Sequence, residues 1–273
     1  MSVSSSDAFT REVSFLQSLA VQWRVIRALM MREAVSRYGR DNLGGLWVVA
    51  EPMVFTLGVA FMWAESGLRH VTRVPVITFA VTGYSCVLCW RSTVSRCNRA
   101  VIDNFPLLYH RNVLIFDVFM SRIILEIAGV TGSFTFLMLL FMAVGAMPVP
   151  LDPLKIVWGW LMLSWFAVSL AILLGSARVH TELVERIWHP VSYLIFPLSG
   201  AGFMLDWLPK SAQAWVSILP MIHAVEYIRE GFWGDTVVTH HDLVYMATVN
   251  LCTLFLGLLV LRSAARRVEA QTP

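Results

Sequence analysis

The side chains of this chain that are able to do chemistry are few, and most of them lack the neighbours a reaction needs. Cys86 and Cys89 form a C-x-x-C, the spacing of redox and metal motifs, but their segment is apolar and holds no histidine. The four cysteines, Cys86, Cys89, Cys97 and Cys252, therefore read as small apolar side chains, and no metal site is expected. Ser199-Gly200 invites comparison with the Gly-x-Ser-Gly elbow of a hydrolase. Pro197 stands two positions before that serine, and the histidines at 180, 189, 223, 240 and 241 sit near the ends of apolar stretches or between them. No Ser–His pair on facing helices is set up, so an intramembrane hydrolase is the remote alternative and no catalytic residue is assigned. A phosphate-binding loop needs Gly-x-x-x-x-Gly-Lys followed by Ser or Thr, so that backbone N–H groups and a lysine hold the phosphates. Lys155 is followed by Ile156, and Lys210, though followed by Ser211, is preceded by Pro209. The chain is expected to bind no cofactor of its own. Two charges inside an apolar stretch, Arg122 and Glu126, stand at i,i+4 and are expected to neutralise one another on one helix face.

The elements that carry these residues follow from hydropathy. Apolar residues make up 57% and charged ones 14%, with mean hydropathy +0.66, against roughly 25% charged in a soluble domain. The apolar residues run continuously instead of alternating, which favours helices over a β-barrel and predicts an all-α integral membrane protein. Stretches near 47–64, 76–90, 118–145, 155–176, 188–205 and 242–261 predict six transmembrane helices, the first tolerating Glu51 near its start. Fifteen Lys and Arg fall on the side holding the N-terminus and five on the other, which places both termini in the cytoplasm. The net charge of +3 is then a signal of topology, and no basic patch suggests nucleic acid. The Ser-rich start shows no cleavable signal peptide, and the first span is expected to direct insertion.

Two segments outside the spans carry their own pattern. Phe15, Leu16, Leu19, Trp23, Ile26 and Met30 share one helical face, with Arg24, Arg27 and Arg32 on others, predicting an interfacial helix in the cytoplasmic headgroup layer. It serves either as a retention anchor or as a collar beside a pathway. Between spans five and six, Trp207, Trp215, Tyr227, Phe232 and Trp233 alternate with Pro209, Pro220 and Gly234. That segment is too polar to span and too aromatic for free loop, so short re-entrant helices at the outer interface are expected. It is either a surface aromatic belt or an extracytoplasmic gate over 206–241. In the second reading the aromatic faces stack on a passing ligand, while Glu226 and Arg229 either hydrogen-bond its hydroxyls or anchor the gate helices.

Arg32-Glu33, Arg37-Tyr38-Gly39-Arg40, Leu43-Gly44-Gly45-Leu46-Trp47 and Glu51-Pro52 follow one another before and into span one. In this order the chain resembles the permease subunits of bacterial type-2 ABC exporters, and the Arg-Glu and the Glu before Pro resemble their capsular-polysaccharide branch. Asn98-Arg99, Pro106, Asp117, Arg122, Leu125 and Glu126 are similar to that branch around span three. Pro197, Ser199-Gly200, Leu208-Pro209, Pro220, His223, Glu226 and Arg229-Glu230-Gly231-Phe232 are similar to its ending, with Leu219-Pro220 where the family has Asn-Pro. The resemblance runs from about residue 24 to 234 through short motifs in a shared order.

The resemblance implies a half-channel that works as two copies with two ATP-binding cassette subunits, which use the ATP and Mg, and with periplasmic and outer-membrane polysaccharide export proteins. The substrate it implies is a lipid-linked capsular polysaccharide leaving through the bacterial inner membrane; O-antigen, teichoic acid, lipid or drug are the alternatives, and a secondary transporter is a rival without the repeats and broken helices of its class. Domain limits on this reading are a cytoplasmic 1–46, a transmembrane 47–262 and a tail 263–273. In the 91–112 loop, Arg99, Asp103, Asn104 and Phe105 are expected to couple to the ATPase. Arg178, Glu182, Glu185 and Arg186 form either a second coupling turn or a solvated one. Phe55, Trp63, Tyr84, Trp90, Tyr193 and Phe196 are the aromatic residues expected along the path.

Overall fold

A computed structural model describes residues 15–38, 44–65, 74–109 and 113–270. Gly39, Arg40 and Leu43 of the N-terminal signature, and the charges Arg11, Arg69, Arg73 and Arg111, lie outside the described residues. Among the described residues every regular element is helical: α1 (Phe15–Tyr38), α2 (Gly44–Glu65), α3 (Val76–Asn98), α4 (Ala100–Asp103), α5 (Ile115–Ala143), α6 (Pro153–His180), α7 (Leu183–Leu198), α8 (Lys210–Val216), α9 (Pro220–Trp233) and α10 (Leu243–Glu269), with short 3-10 turns between. Among the described residues, four helices are long and apolar enough to cross a membrane: α2 from Leu46, α5, α6 and α10.

The starts of α5, α6 and α10 are fixed by acids that satisfy otherwise orphaned N–H groups. Asp152 accepts from Leu154 and Lys155 N–H ahead of α6, with Pro153 in the first turn where its missing donor costs nothing. Asp242 accepts from Tyr245 N–H at α10. Asp117 accepts from Leu114 N–H at α5 and takes a second bond from Gln22 of α1 at 3.0 Å.

At the centre stands α3, packed against α2, α5, α6 and α9 and buried along most of its length. A helix shielded from lipid by protein need not be uniformly apolar, and α3 carries Thr, Ser and Cys; the hydroxyls of Thr82, Ser92 and Thr93 bond back to its own carbonyls. Thr82 Oγ1 donates to Thr78 O at 2.8 Å and Thr93 Oγ1 to Cys89 O at 2.6 Å. It continues past Trp90 to Asn98, so the first part of the expected 91–112 loop is helix. Likewise α10 runs to Glu269, and the expected tail is mainly its last turns.

The fifth apolar stretch behaves differently from its reading as 188–205. Helix α7 begins at Leu183 and ends at Leu198, because Gly200 takes φ +81°, a left-handed conformation that stops the helix. Its 16 residues reach roughly 24 Å at about 1.5 Å per residue, short of the ~30 Å hydrocarbon layer. The chain then passes through a 3-10 turn, α8 and α9 before α10.

Close backbone approach holds the outer segment on α3. A Cβ at Gly83 would stand 2.5 Å from Ala201 O and 2.8 Å from Arg229 Nη2. Elsewhere in the bundle, a Cβ at Gly129 would meet Val48 O at 2.6 Å, so α5 and α2 touch through a small residue. Gly83→Val is expected to cost about 1–3 kcal/mol through overpacking, read as a drop of several degrees in the apparent Tm of the detergent-solubilised chain. Gly58→Val, at a site with nothing within 4 Å, should leave it unchanged.

Candidate functional site

A stripe of α3 escapes full burial. Tyr84, Leu88, Arg91 and Ser95 are partly or fully exposed and recur at a spacing that keeps them within about 60° of one another at ~100° per residue. The stripe is flanked by α7 and α2. From α7, Phe196 meets Tyr84 edge-on with centroids 5.7 Å apart, and Tyr193 lies under the Arg91 guanidinium at 4.1 Å. Trp188 Nε1 donates to Ser95 Oγ at 3.4 Å. From α2, Glu51 and Phe55 face Leu88, Ser92 and Arg96 across a narrow cleft shared with α5, and Arg96 pairs with Glu51 at 3.0 Å. The result is a trough whose floor is α3 and whose walls are aromatic on the α7 side.

The six aromatic residues expected along a path separate into three groups. Tyr84, Tyr193 and Phe196 gather in this trough, and Phe55 is exposed on its α2 wall. Trp63 instead stacks on Phe79 at 6.0 Å, and Phe79 also carries Trp207 at 5.2 Å and Trp233 at 6.3 Å. These rings form a stack that ties α2, α3, the Leu205–Trp207 turn and α9 together. Trp90 is 1% exposed and packs edge-on against Trp188, so it is a core residue and lines no surface of this chain.

In the outer segment, α9 acts as a polar post. Glu226 and Arg229, both fully buried, bind loop backbone on either side of it. Glu226 accepts from Leu205 N–H and from His240 N–H, each at 3.2 Å. Arg229 donates to Phe203 O at 2.8 Å and Ala201 O at 3.2 Å, and its guanidinium lies 3.7 Å over the Phe79 ring. Burial pushes the Glu226 carboxyl up, opposed by Arg229 and the two N–H donors, and pushes Arg229 down to about 10. Of the two roles expected for this pair, binding of sugar hydroxyls does not hold in this conformation, because neither side chain reaches solvent; they anchor the segment. Glu230 adds a third tie, accepting from Lys155 Nζ at 2.7 Å and Thr239 Oγ1 at 2.8 Å. His223 Nδ1 accepts from Asp242 N–H at 3.0 Å, which leaves Nε2 to donate to Ser217 O at 2.8 Å and fixes the neutral tautomer. Among the aromatics, Trp215 is 76% exposed, Trp207 stacks on Phe79, and Tyr227 leans on His241 at 4.9 Å.

The inner end holds a different arrangement. An open cleft of about 640 Å³ is lined by Arg32, Glu33, Arg37, Arg96, Arg99, Asp103, Asn104 and Arg122, drawn from α1, α3, α4 and α5. Arg122 and Glu126, expected to pair with each other, do not. Arg122 donates to Asp103 at 3.0 Å, Glu33 at 3.3 Å and Arg96 O at 2.8 Å. Glu126 is bound by Arg37 and approached by Arg96 at 3.6 Å. The two side chains one turn apart on α5 are thus each claimed by a better-placed partner on another helix, which serves two purposes: the charges are neutralised and α1 is clamped to the body. For Arg37, burial works against the charge but Glu126 and Glu33 outweigh it and hold the guanidinium protonated.

The residues expected to couple to an ATPase lie at this cleft. Asn104 accepts from Arg32 at 3.0 Å, Asp103 is bound by Arg122, and Arg99 reaches Glu185 of α7 at 3.7 Å. Phe105 packs against the core. Arg178 binds Glu185 at 2.8 Å and Glu182 at 3.8 Å, so the α6–α7 turn joins the same chain of charges through Glu185. Sequence reasoning missed Glu33 and Arg37 as partners of α5; their own i,i+4 spacing was the available signal, and the structure has them paired at 2.8 Å. The face of α1 that docks is the polar one bearing Gln22, Glu33 and Arg37, together with Ile26 and Leu29. Leu19 and Trp23, on the expected apolar face, stay exposed. In double-mutant cycles on thermal stability, Arg122→Met with Glu33→Gln should show a coupling of about 1 kcal/mol, and Arg122→Met with Glu126→Gln less than half of it. A larger coupling to Glu126 would restore the intrahelical pair.

No family model matches the chain. Individual proteins do. It is 37% identical over 260 residues to the capsule polysaccharide export inner-membrane protein CtrC of Neisseria meningitidis serogroup A, covering 95% of this chain and 98% of that one. It is 34% identical, with the same coverage, to the capsule polysaccharide export inner-membrane protein BexB of Haemophilus influenzae. The polysialic acid transport protein KpsM of Escherichia coli is more distant, at 24% over 243 residues, 89% of this chain and 94% of its own length. Near-complete coverage at more than a third identity, on an all-helical body with membrane-length apolar helices, assigns the chain to the family of capsule polysaccharide export inner-membrane proteins.

Proposed function

We propose that the chain is the membrane-spanning subunit of an ATP-driven exporter that moves lipid-linked capsular polysaccharide out through the bacterial inner membrane. The names of its relatives support the polymer and the membrane. The observation that carries the mechanism is the trough on α3. It is a part-exposed stripe of a helix buried along most of its length, and aromatic side chains and a guanidinium line it. Aromatic faces suit the C–H faces of sugars, and a trough open on one side becomes an enclosed path when a second copy faces it. The subunit therefore works as two copies, with α2, α3 and α7 of each lining the passage.

Six membrane crossings result when α3 and α7 join the four helices of full apolar length. Helix α3 is long enough and takes its shielding from protein, while the residues after α7 complete the short crossing. The arginine distribution then puts both termini and the α4 turn in the cytoplasm. ATP and Mg act in a separate subunit, two copies of which dock where Arg99, Asp103, Asn104 and Phe105 sit. A push there reaches α5 through Asp103–Arg122 and α7 through Arg99–Glu185. At the other end α8 and α9 dip into the outer interface as a gate, and polysaccharide export proteins of the periplasm and outer membrane receive the polymer.

Deleting the gene from its host should remove the polymer from the cell surface and leave it inside, and the wild-type chain should restore it. Inactivating the partner ATPase should give the same block. Surface polymer that persists with that ATPase inactive would contradict the proposal in favour of a secondary transporter.

A further inference from the structure

A second opening lies at the end of α10. An apolar groove of about 270 Å³ runs between Leu258, Leu261 and Ala265 of α10 and Leu114, Ile115 and Phe116 at the start of α5. It shares no residue with the trough on α3. Leu258 is 43% exposed and Leu114 54%, so its apolar walls reach the surface of the chain. The depth of the groove follows from the sequence of α10. Asp242 caps that helix, and the next charged side chain along it is Arg262. The 19 uncharged residues between them span roughly 28 Å at about 1.5 Å per residue, close to the ~30 Å hydrocarbon layer. Arg262 therefore stands where acyl chains give way to phosphates.

Arg266 follows one turn further out on the same face, and both arginines are exposed. Among the described residues neither has a carboxylate partner or a side-chain hydrogen bond, whereas Arg267 donates to His180 O at 3.2 Å. Glu269, the acid in the lining, comes seven residues after Arg262, roughly 10 Å beyond that level. Apolar walls in the hydrocarbon layer that end at two cations in the headgroup layer match a diacyl phosphodiester in both polarity and charge. A soluble anion would leave the walls uncovered, and a neutral lipid would leave the cations without a partner. We infer that the groove holds an anionic glycerophospholipid of the leaflet it faces, with one acyl chain along Leu258 and Phe116 and the phosphodiester on Arg262 and Arg266. Guanidinium forks give paired donors to phosphate oxygens, which lysine would not. Seated there, the lipid wedges α10 against the start of α5, the turn that Asp117 caps and ties to Gln22 of α1. This occupant is a resident lipid of the bilayer and not cargo, so the inference goes beyond the export reading and does not depend on it.

Native mass spectrometry of the full-length chain in detergent, titrated with an equimolar mixture of phosphatidylglycerol and phosphatidylcholine, reads the lipid retained. Wild type should keep phosphatidylglycerol over phosphatidylcholine by roughly fivefold or more, the order expected of one arginine at an anionic surface. Arg262→Gln should remove that preference, and Arg262→Lys should retain part of it. Ala265→Phe, which keeps both charges and fills the groove, should reduce retention of phosphatidylglycerol. Arg27→Gln, which removes an exposed arginine of α1 outside the groove, should leave retention as in wild type. Unchanged elution and helicity of the variants establish that they fold. Equal retention of the two lipids by wild type would overturn the proposal. So would a preference that survives Arg262→Gln, or retention that Ala265→Phe leaves intact. An equal loss from Arg27→Gln would also overturn it, by assigning the effect to charge spread over the surface. Glycerol phosphate that displaces the lipid at the same concentration would do so as well, by showing a site for a free phosphate ester.

Discussion

Arg229 brings a positive charge into the interior and places it on two backbone carbonyls, Ala201 O and Phe203 O, with the Phe79 ring beneath it. That one interaction closes the outer segment. Residues 199–204, which follow α7, are not helical, and buried non-helical backbone is tolerated only where protein satisfies its carbonyls. Arg229 satisfies two of them, Glu226 one turn away satisfies two N–H groups, and Gly83 leaves the room for both loop and guanidinium to reach α3. Remove the charge and the 201–205 backbone is left with unpaired groups against an apolar helix.

The inner end is organised by the same requirement with side chains as partners. Arg122, Glu126, Glu33, Arg37 and Asp103 are shared between α1, α4 and α5, so that no buried charge there depends on its own helix alone. Pairs distributed over several helices act as clamps, and movement of one helix obliges the others to re-pair. Between these two polar ends, the middle of α3 is held by small and hydroxyl-bearing side chains. Its exposed stripe is therefore a fixed floor between two helices, α2 and α7, that present large exposed apolar surfaces.

Much of this was legible in the chain, and the parts that were not share a cause. Runs of apolar residues gave α2, α5, α6 and α10 directly, since a helix facing lipid must advertise it in composition. Hydropathy reads the second span as 76–90, because Arg91 and Arg96 interrupt the run; helix α3 runs on to Asn98, a limit set by packing against α2, α5 and α6, which hydropathy does not register. The outer aromatics and the acid and base of α9 were singled out, yet their burial was not, since nothing in Glu226-x-x-Arg229 distinguishes a pair facing a pathway from one facing loop backbone. Arg122 with Glu126 shows the limit most clearly. Local spacing proposed the partner, and tertiary structure supplied better ones from Glu33 and Arg37, ninety residues away on the chain only as α1 folds back. Trp90 failed as a path residue for the same reason: its type was right and its face was not.

The central claim is that the exposed stripe of α3 between α2 and α7 is the passage. Cysteine accessibility tests it directly, because Cys86, Cys89 and Cys97 are buried and Cys252 alone of the four is exposed. In a Cys252→Ser background, cysteines at Tyr84, Leu88 and Ser95 should react with a membrane-impermeant thiol reagent in the working exporter, and their modification should block export. Cysteines at Val81, Val87 and Val94, which are fully or almost fully buried beside the stripe, should stay unmodified. A stripe that remains unreactive, or that reacts without any effect on export, would contradict the account.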